Sequence, residues 1–102
     1  MLGPNTRNSI KTIFTLPVGT EINVTGWVKT RRDSKGIHFL QVSDGSCFRD
    51  LQVVLEDGVI SDAELADVTT GACVKVIGEL VDSPAAGQPV EVKATGLIVA
   101  GK

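Results

Sequence analysis

The chain has 102 residues, 42% of them apolar, with one Trp, three Phe, no Tyr and a formal net charge of −2 at pH 7. This length suits one domain, and its core must be built from Val, Ile and Leu, which favour β-strands. The net negative charge argues against non-specific DNA binding, which usually needs a basic domain. The N-terminal residues contain no apolar run long enough for a signal peptide or a membrane-spanning helix. We therefore expect a cytoplasmic protein with reduced thiols and no membrane partner.

One short segment departs from the acidic balance. Residues 29–35 hold four bases and one acid, a net +3, whereas the rest of the chain holds six bases and eleven acids, a net −5. A small positive spot on an acidic body suits a focused contact with a polyanion, and a solvated basic turn is the simpler alternative. The four bases are Lys29, Arg31, Arg32 and Lys35.

The first feature in chain order is a lead segment, residues 1–19, ahead of a domain that we assign to residues 20–102. Residues 9–16 predict a short helix in this segment, because Ser9 has the hydroxyl that an N-cap position prefers.

Residues 21–32 predict the first strand, since apolar and polar residues alternate along it. Gly26 indicates a bend inside this strand. A bend resets the alternation, so we expect Trp27 to be a buried structural residue, and a second stacking ring is the alternative. Arg32 shares the parity of apolar Val28 and would face outward only at a twisted strand end.

Four more strands and one helix follow. A capping box, S-x-x-E, predicts that the helix begins at Ser61 with Glu64 as its partner, and Gly71 is expected to end it. Gly96 indicates a kink in the last strand. The four strands are predicted at residues 37–43, 50–56, 73–81 and 90–100.

The order of these elements predicts the fold. Three strands, one short helix and two strands, with a two-residue period and no long helix, predict an all-β, closed or nearly closed antiparallel barrel. A short helix between the third and fourth strands is typical of the five-stranded OB-fold. An SH3-like barrel, which lacks that helix, is the alternative.

Strand parity points to a binding surface. Phe39 is out of phase with Leu40 and Val42, and Gln52 and Glu91 are likewise out of phase with their apolar neighbours. An outward ring, amide and carboxylate beside a basic turn suit single-stranded nucleic acid, because a ring stacks on a base and an amide reads its edge. The alternatives are that a neighbouring loop covers Phe39 and that Gln52 is ordinary solvated surface.

The residues that usually carry catalysis or metal binding are isolated. Cys47 and Cys73 belong to no close Cys or His pair, and His38 is the only histidine, with no recognisable nucleophile beside it. We therefore expect no metal site and no catalytic residue in this chain.

Longer motifs resemble a known family. The stretch "GWVKTRRDSKGIHFLQVSDGSCF", followed by "LQVV", is similar to the N-terminal anticodon-binding OB-fold domain of asparaginyl-tRNA synthetase. The wider likeness is to the class IIb synthetases for Asn, Asp and Lys, with their G-W-V-x-x-x-R pattern, and "RRDSK" and "DGSCF" favour the Asn branch. The similarity covers nearly the whole chain.

The resemblance implies roles for individual residues. Phe39 matches the ring that, in the aspartyl relatives, stacks on the central anticodon uridine, which Asn and Asp anticodons share, and Arg32 and Gln52 match residues that contact this uridine. Glu91 matches an acid near the first anticodon position. Weaker contacts with the tRNA backbone are expected from the remaining bases of the positive spot, Lys29, Arg31 and Lys35.

The resemblance also implies a larger parent and a specific partner. The partner would be an asparagine-accepting tRNA with a GUU anticodon, and the parent would be a homodimeric ligase whose separate catalytic domain uses ATP and Mg²⁺. Because the chain stops after "VAGK", we expect no aminoacylation by this chain alone. The loop "DSPAAGQP" lacks the basic residues of the aspartyl branch, which leaves third-base contacts open.

Two functions of other classes remain as alternatives. A stand-alone single-stranded nucleic-acid-binding OB domain would show little sequence preference and a larger basic groove. A protein-interaction barrel would use the same face for a peptide, and its binding would depend less on salt.

Overall fold

The computed structural model describes residues 8–83 and 90–101 as five strands with two short helices. The elements are α1 (Ile10–Ile13), β1 (Glu21–Ser34), β2 (Ile37–Ser43), β3 (Leu51–Glu56), α2 (Asp62–Ala66), β4 (Cys73–Asp82) and β5 (Val90–Gly101). This order confirms the prediction of an all-β OB-fold with a short helix between the third and fourth strands.

The strands close into a barrel in the order β1-β2-β3-β5-β4. The pairs β1–β2, β1–β4, β2–β3 and β4–β5 are antiparallel, whereas β3 and β5 run parallel, with Val53 opposite Val92. The predicted antiparallel barrel thus contains one parallel pair. It arises because α2 and β4 intervene between β3 and β5, which returns the chain in its original direction.

Aliphatic side chains fill the barrel, and the lead segment contributes to the same core. Ile10 and Ile13 of α1 are fully buried in one cluster with the inward residues of the strands. Ser9 caps α1 as predicted, because its Oγ accepts a hydrogen bond from the Thr12 amide. The helix ends at Ile13, earlier than residue 16, and residues 1–7 of the predicted lead segment lie outside the described residues.

Helix α2 begins as the sequence predicts and ends sooner. Ser61 and Glu64 form the capping box in both directions. The helix closes at Asp67, so the prediction that Gly71 ends it is wrong. Gly71 instead lies in a later turn with φ +92°, where its amide donates to the Val28 carbonyl oxygen. Its positive φ serves that turn rather than the helix end.

Gly26 is required by a close approach of two backbones. It keeps an unbroken register with Val74, and a Cβ built on it would lie 2.4 Å from the Ser43 carbonyl oxygen. Since no bend resets the alternation here, Trp27 lies on the outer surface with 44% of its area exposed, opposite in phase to buried Val28. The prediction of a buried Trp27 is therefore wrong.

The last strand is irregular beside Gly96. The register of β4 and β5 shifts between Ile77 and Gly78, which pair with Gly96 and Ala94, so Thr95 is an extra residue. The predicted kink thus takes the form of a β-bulge next to the glycine. No helix within the described part of the chain is long and apolar enough to cross a membrane.

Candidate nucleic-acid interface

A β-bulge in β1 decides which basic residues face outward. The register between β1 and β2 shifts between Val28 and Thr30, so Lys29 is the extra residue. A bulge moves every later side chain to the opposite face. Arg32 therefore lies opposite Phe39 on the outer face, although the two-residue period of the sequence aligns it with buried Val28.

Arg32 and Phe39 form one wall of an open pocket of about 170 Å³. The guanidinium carbon of Arg32 lies 4.8 Å from the centroid of the Phe39 ring, within the range of a cation–π contact. Phe39 is half-buried, so part of the ring remains accessible. The side chains that line the pocket are Thr30, Arg32, Phe39, Gln41 and Gln52.

Two amides and a carboxylate continue this surface from β2 across β3 to β5. Gln41 Nε2 donates to Gln52 Oε1 over 3.1 Å, and Gln52 Nε2 donates to Glu91 Oε1 over 3.0 Å. We call Gln41, Gln52 and Glu91 the amide relay. Gln52 is only 9% exposed, so it is a packed, hydrogen-bonded member of the surface rather than freely solvated.

The structure thus brings the four predicted anticodon residues, Arg32, Phe39, Gln52 and Glu91, to one outward face. Sequence reasoning left Gln41 and Thr30 out of the site. The signal for Gln41 was present, because it shares the outward parity of Phe39 two residues away. Thr30 could not be placed without the bulge at Lys29.

The three weaker backbone candidates lie in different environments. Lys29 and Lys35 are exposed, at the bulge and in the turn that joins β1 to β2. Arg31 points away from Arg32, and its Nη1 donates to the carbonyl oxygens of Leu65 (2.8 Å) and Val68 (3.0 Å). Its guanidinium therefore binds carbonyl groups at and just beyond the end of α2, where a cation is favoured.

Arg31 belongs to a polar network that ties the β1–β2 hairpin to the turn after β3. Arg31 Nε donates to Asp33 Oδ1 over 2.9 Å. His38 Nδ1 lies 2.9 Å from Asp33 Oδ1, and His38 Nε2 lies 2.8 Å from Asp57 Oδ1. We call these four residues, Arg31, Asp33, His38 and Asp57, the hairpin network.

The network raises the pKa of one of its residues, His38, and lowers that of another, Asp33. The hydrogen bond to Asp33, helped by that to Asp57, outweighs burial and raises the pKa of His38 above 6.5. Hydrogen bonds from Arg31 and then from His38 lower the pKa of Asp33 below 3.8. The pair is therefore stabilised in its charged form around a hairpin that carries both Arg32 and Phe39.

The remaining sequence predictions concern a metal site and the loop expected to bear on the third anticodon base. Within residues 8–83 and 90–101, no group of three or more His, Cys, Asp or Glu side chains could hold a metal ion. Cys47 and Cys73 are free thiols. The loop that bears on third-base contacts falls largely on residues 84–89, outside the described residues.

Comparisons with known proteins agree with this geometry. The model of the tRNA anticodon family, described as an OB-fold nucleic acid binding domain, matches residues 22–100. The chain is 49% identical over 92 residues to the asparagine–tRNA ligase of Solibacter usitatus, a match that covers 90% of this chain and 20% of the ligase. It is 53% identical over 85 residues to the asparagine–tRNA ligase of Geobacter sulfurreducens, covering 83% of this chain and 18% of the ligase.

The barrel is also similar to a solved synthetase structure. Asparaginyl-tRNA synthetase from Pyrococcus horikoshii complexed with asparaginyl-adenylate superimposes with a TM-score of 0.81 at 19% identity, over 95% of this chain and 23% of that one. This likeness shows the fold. The chain spans about a fifth of the length of the curated ligases that it matches. The resemblance to asparaginyl-tRNA synthetases is thereby confirmed, and the chain belongs to the tRNA anticodon family of OB-fold nucleic acid binding domains.

Proposed function

We propose that this chain is the anticodon-recognition module of an asparagine–tRNA ligase and that Phe39 stacks on the central uridine of a GUU anticodon. The observation that carries the proposal is the open pocket in which the Phe39 ring, the Arg32 guanidinium and the Gln52 amide meet. A ring for stacking, a cation and an amide are the groups that recognise an unpaired base.

Each residue would contribute a different interaction. The Phe39 ring offers a plane, worth about 1–3 kcal/mol per stacked base. Arg32 has no hydrogen-bond or ion-pair partner among the described residues, so its five N–H donors are available for a phosphate or a base oxygen. Gln52 would read the base edge, with Glu91 beside it toward the neighbouring nucleotide.

The rest of the function belongs to the longer protein that we infer from its relatives. This chain would bind tRNA without catalysing aminoacylation, and ATP and Mg²⁺ would act in the catalytic domain of the parent ligase. We also propose that the parent is a cytoplasmic homodimer. A clean preparation of this chain should therefore show no ATP–pyrophosphate exchange with asparagine.

Binding of an RNA anticodon hairpin by two variants of the protein tests the proposal. Phe39→Ala should weaken binding of an anticodon hairpin with a central uridine about ten- to a hundredfold, because one stacking plane is lost. Gln52→Ala should cost less affinity but more of the preference for uridine over cytidine, since an amide reads a base edge and a ring does not. Thermal melts of both variants control for folding.

Three outcomes would count against this proposal. If Phe39→Ala melts early while its folded fraction binds like the wild type, Phe39 is a core residue rather than a stacking platform. If Gln52→Ala keeps the preference for uridine, Gln52 does not read the base. Equal binding of unrelated single strands by the wild type would favour a general single-stranded nucleic-acid-binding domain instead.

A further inference from the structure

We propose that Gln41 is a specificity-determining residue whose amide is held in one orientation by Glu91, acting through Gln52. The inference rests on the proposed function, because it concerns how the same pocket distinguishes a uridine from a cytidine. Gln41 lines the pocket with Phe39 and Gln52, and it starts the relay that ends at the carboxylate.

The carboxylate sets the direction of both amides. An ionised Glu91 can only accept hydrogen bonds, so the side of Gln52 that faces it must be the NH₂ group. The oxygen of Gln52 is thereby turned toward Gln41, whose own NH₂ group must face it. A lone surface amide could rotate by half a turn and exchange its donor and acceptor positions. These two amides would have to rotate together, and the rotation would point the Gln52 oxygen at the Glu91 carboxylate, which has no hydrogen to donate.

The orientation leaves particular groups available for a ligand. In the part of the chain that the structure describes, Gln41 Oε1 accepts no hydrogen bond, and the NH₂ group of each glutamine makes one. Gln41 therefore retains a free acceptor and a free donor side by side at the pocket wall. Its acceptor cannot become a donor while the relay is intact.

This pairing matches one pyrimidine better than the other. The edge of uracil carries an N–H donor at N3 beside an acceptor oxygen at position 4, and cytosine reverses the two. A fixed acceptor next to a fixed donor complements uracil, whereas cytosine stacked on Phe39 in the same pose would place like groups together. Wrong pairing leaves polar groups without partners in a half-closed pocket, which is the costly side of specificity.

The test measures dissociation constants for two anticodon hairpins that differ only in the central base, uridine or cytidine. Gln41→Met keeps the length of the side chain and removes both hydrogen-bonding groups. Glu91→Gln keeps the shape of the relay and removes the group that fixes its direction. Glu79→Gln is the matched control, since it removes the same charge from an exposed site on the neighbouring strand β4.

We expect the wild type to prefer uridine and Gln41→Met to lower that preference about fivefold or more. Glu91→Gln should lower the preference to a similar extent, because the amides can then turn over. Glu79→Gln should change both affinities by the same factor. Thermal melts verify folding, and Gln41→Thr replaces Gln41→Met if the latter melts early.

Each other result decides against a specific part of the account. A wild-type preference that survives in Gln41→Met overturns the role of Gln41 and leaves the proposed function standing. A preference lost in Gln41→Met and kept in Glu91→Gln overturns the orienting role of the carboxylate. Equal binding of both hairpins by the wild type rejects the proposed function, and this inference with it.

Discussion

Arg31 and Arg32 are neighbours in the chain and lie in opposite environments. Arg31 donates to two backbone carbonyls beyond its own strand and pairs with Asp33, so its hydrogen bonds are made inside the protein. Arg32 rests over the Phe39 ring and makes no hydrogen bond within the described residues. The same side chain thus stabilises the fold at one position and is available to a ligand at the next.

The facing strand β2 repeats this contrast with different chemistry. His38 is bound on both ring nitrogens by carboxylates, whereas Phe39 borders an open pocket. Alternation along two paired strands therefore gives the hairpin a closed polar side, the hairpin network, and an open side, the pocket with the amide relay. Polar side chains whose hydrogen-bond partners lie within the protein contribute to its stability. Polar side chains beside an aromatic ring that still have unused hydrogen-bond donors and acceptors indicate a binding site.

The largest effect should come from the barrel core next to the closed side. Leu40 is fully buried and shares the inward face of β2 with His38. Leu40→Ala should lower the free energy of unfolding by about 2–5 kcal/mol, because it removes packed atoms and leaves a cavity. Denaturant unfolding measures the loss. The folded fraction should bind the hairpin like the wild type, and a large loss of its affinity would show that the two sides are not independent.

Replacing the adjacent arginines sharpens the contrast directly. Arg31→Ala should lower the free energy of unfolding by about 1–3 kcal/mol, because carbonyl groups at and just beyond the end of α2 lose a charged donor. It should leave affinity for the RNA hairpin nearly unchanged. Arg32→Ala should weaken hairpin binding about tenfold and change stability by less than about 0.5 kcal/mol. Paired melts and binding curves provide the check, and reversed outcomes would reject the assignment of the two sides.

The pH dependence of stability should come from the closed side. A raised pKa of His38 in the fold stabilises the protein fully below the unfolded value of 6.5, and this contribution is lost as pH rises through the higher folded value. Melting temperature should therefore fall by a few degrees on going from about pH 6 to pH 8.5. His38→Gln should flatten that slope. An unchanged slope in the variant would place the titrating group elsewhere.

At the acid end the same network acts in the opposite sense. The lowered pKa of Asp33 gives a contribution that is present above 3.8 and is lost as pH falls through the lower folded value. Asp33→Asn should accordingly reduce the acid sensitivity of the melt. It should also lower the raised pKa of His38, which an NMR titration of the imidazole would measure.

The smallest effect should come from the exposed lysines. The positive spot is small, so the wild-type slope of log affinity against log salt should be shallow, on the order of −2 to −4. Lys35→Ala should reduce its magnitude by about 1 and weaken both hairpins equally, since a phosphate contact carries no base information. Lys75→Ala, an exposed lysine on β4, is the matched control. A slope near −8 would instead favour a general binder with a broad basic surface.

The sequence predicted most of the fold because the period-two pattern and the capping box are local signals. The five strands, the start of α2 and the outward face of Phe39 relative to Leu40 and Val42 follow from them. The exposure of Trp27 was mispredicted because Gly26 was interpreted as a bend. The glycine is needed at position 26 because the Ser43 carbonyl oxygen of β2 lies too close to the place that a Cβ atom would take. This close approach depends on a pairing between strands that the sequence does not display.

Parts of the site likewise depend on pairing between strands that the sequence does not display. The face on which Arg32 lies was ambiguous, because one extra residue at Lys29 inverts the alternation and only the β1–β2 register reveals it. The amide relay was also hidden, since it joins three strands through side chains distant in sequence. Individual outward residues could be predicted from parity, whereas their hydrogen-bond partners required the closed barrel.

The central claim is that the open side of the β1–β2 hairpin binds the anticodon. An NMR titration of the chain with an RNA hairpin that carries the GUU anticodon tests it most directly. We predict that the largest shifts fall on the signals of Phe39, Gln41 and Gln52, and that those of His38 and Asp57 stay nearly unchanged. Largest shifts on the hairpin network, or around exposed Trp27, would contradict the account.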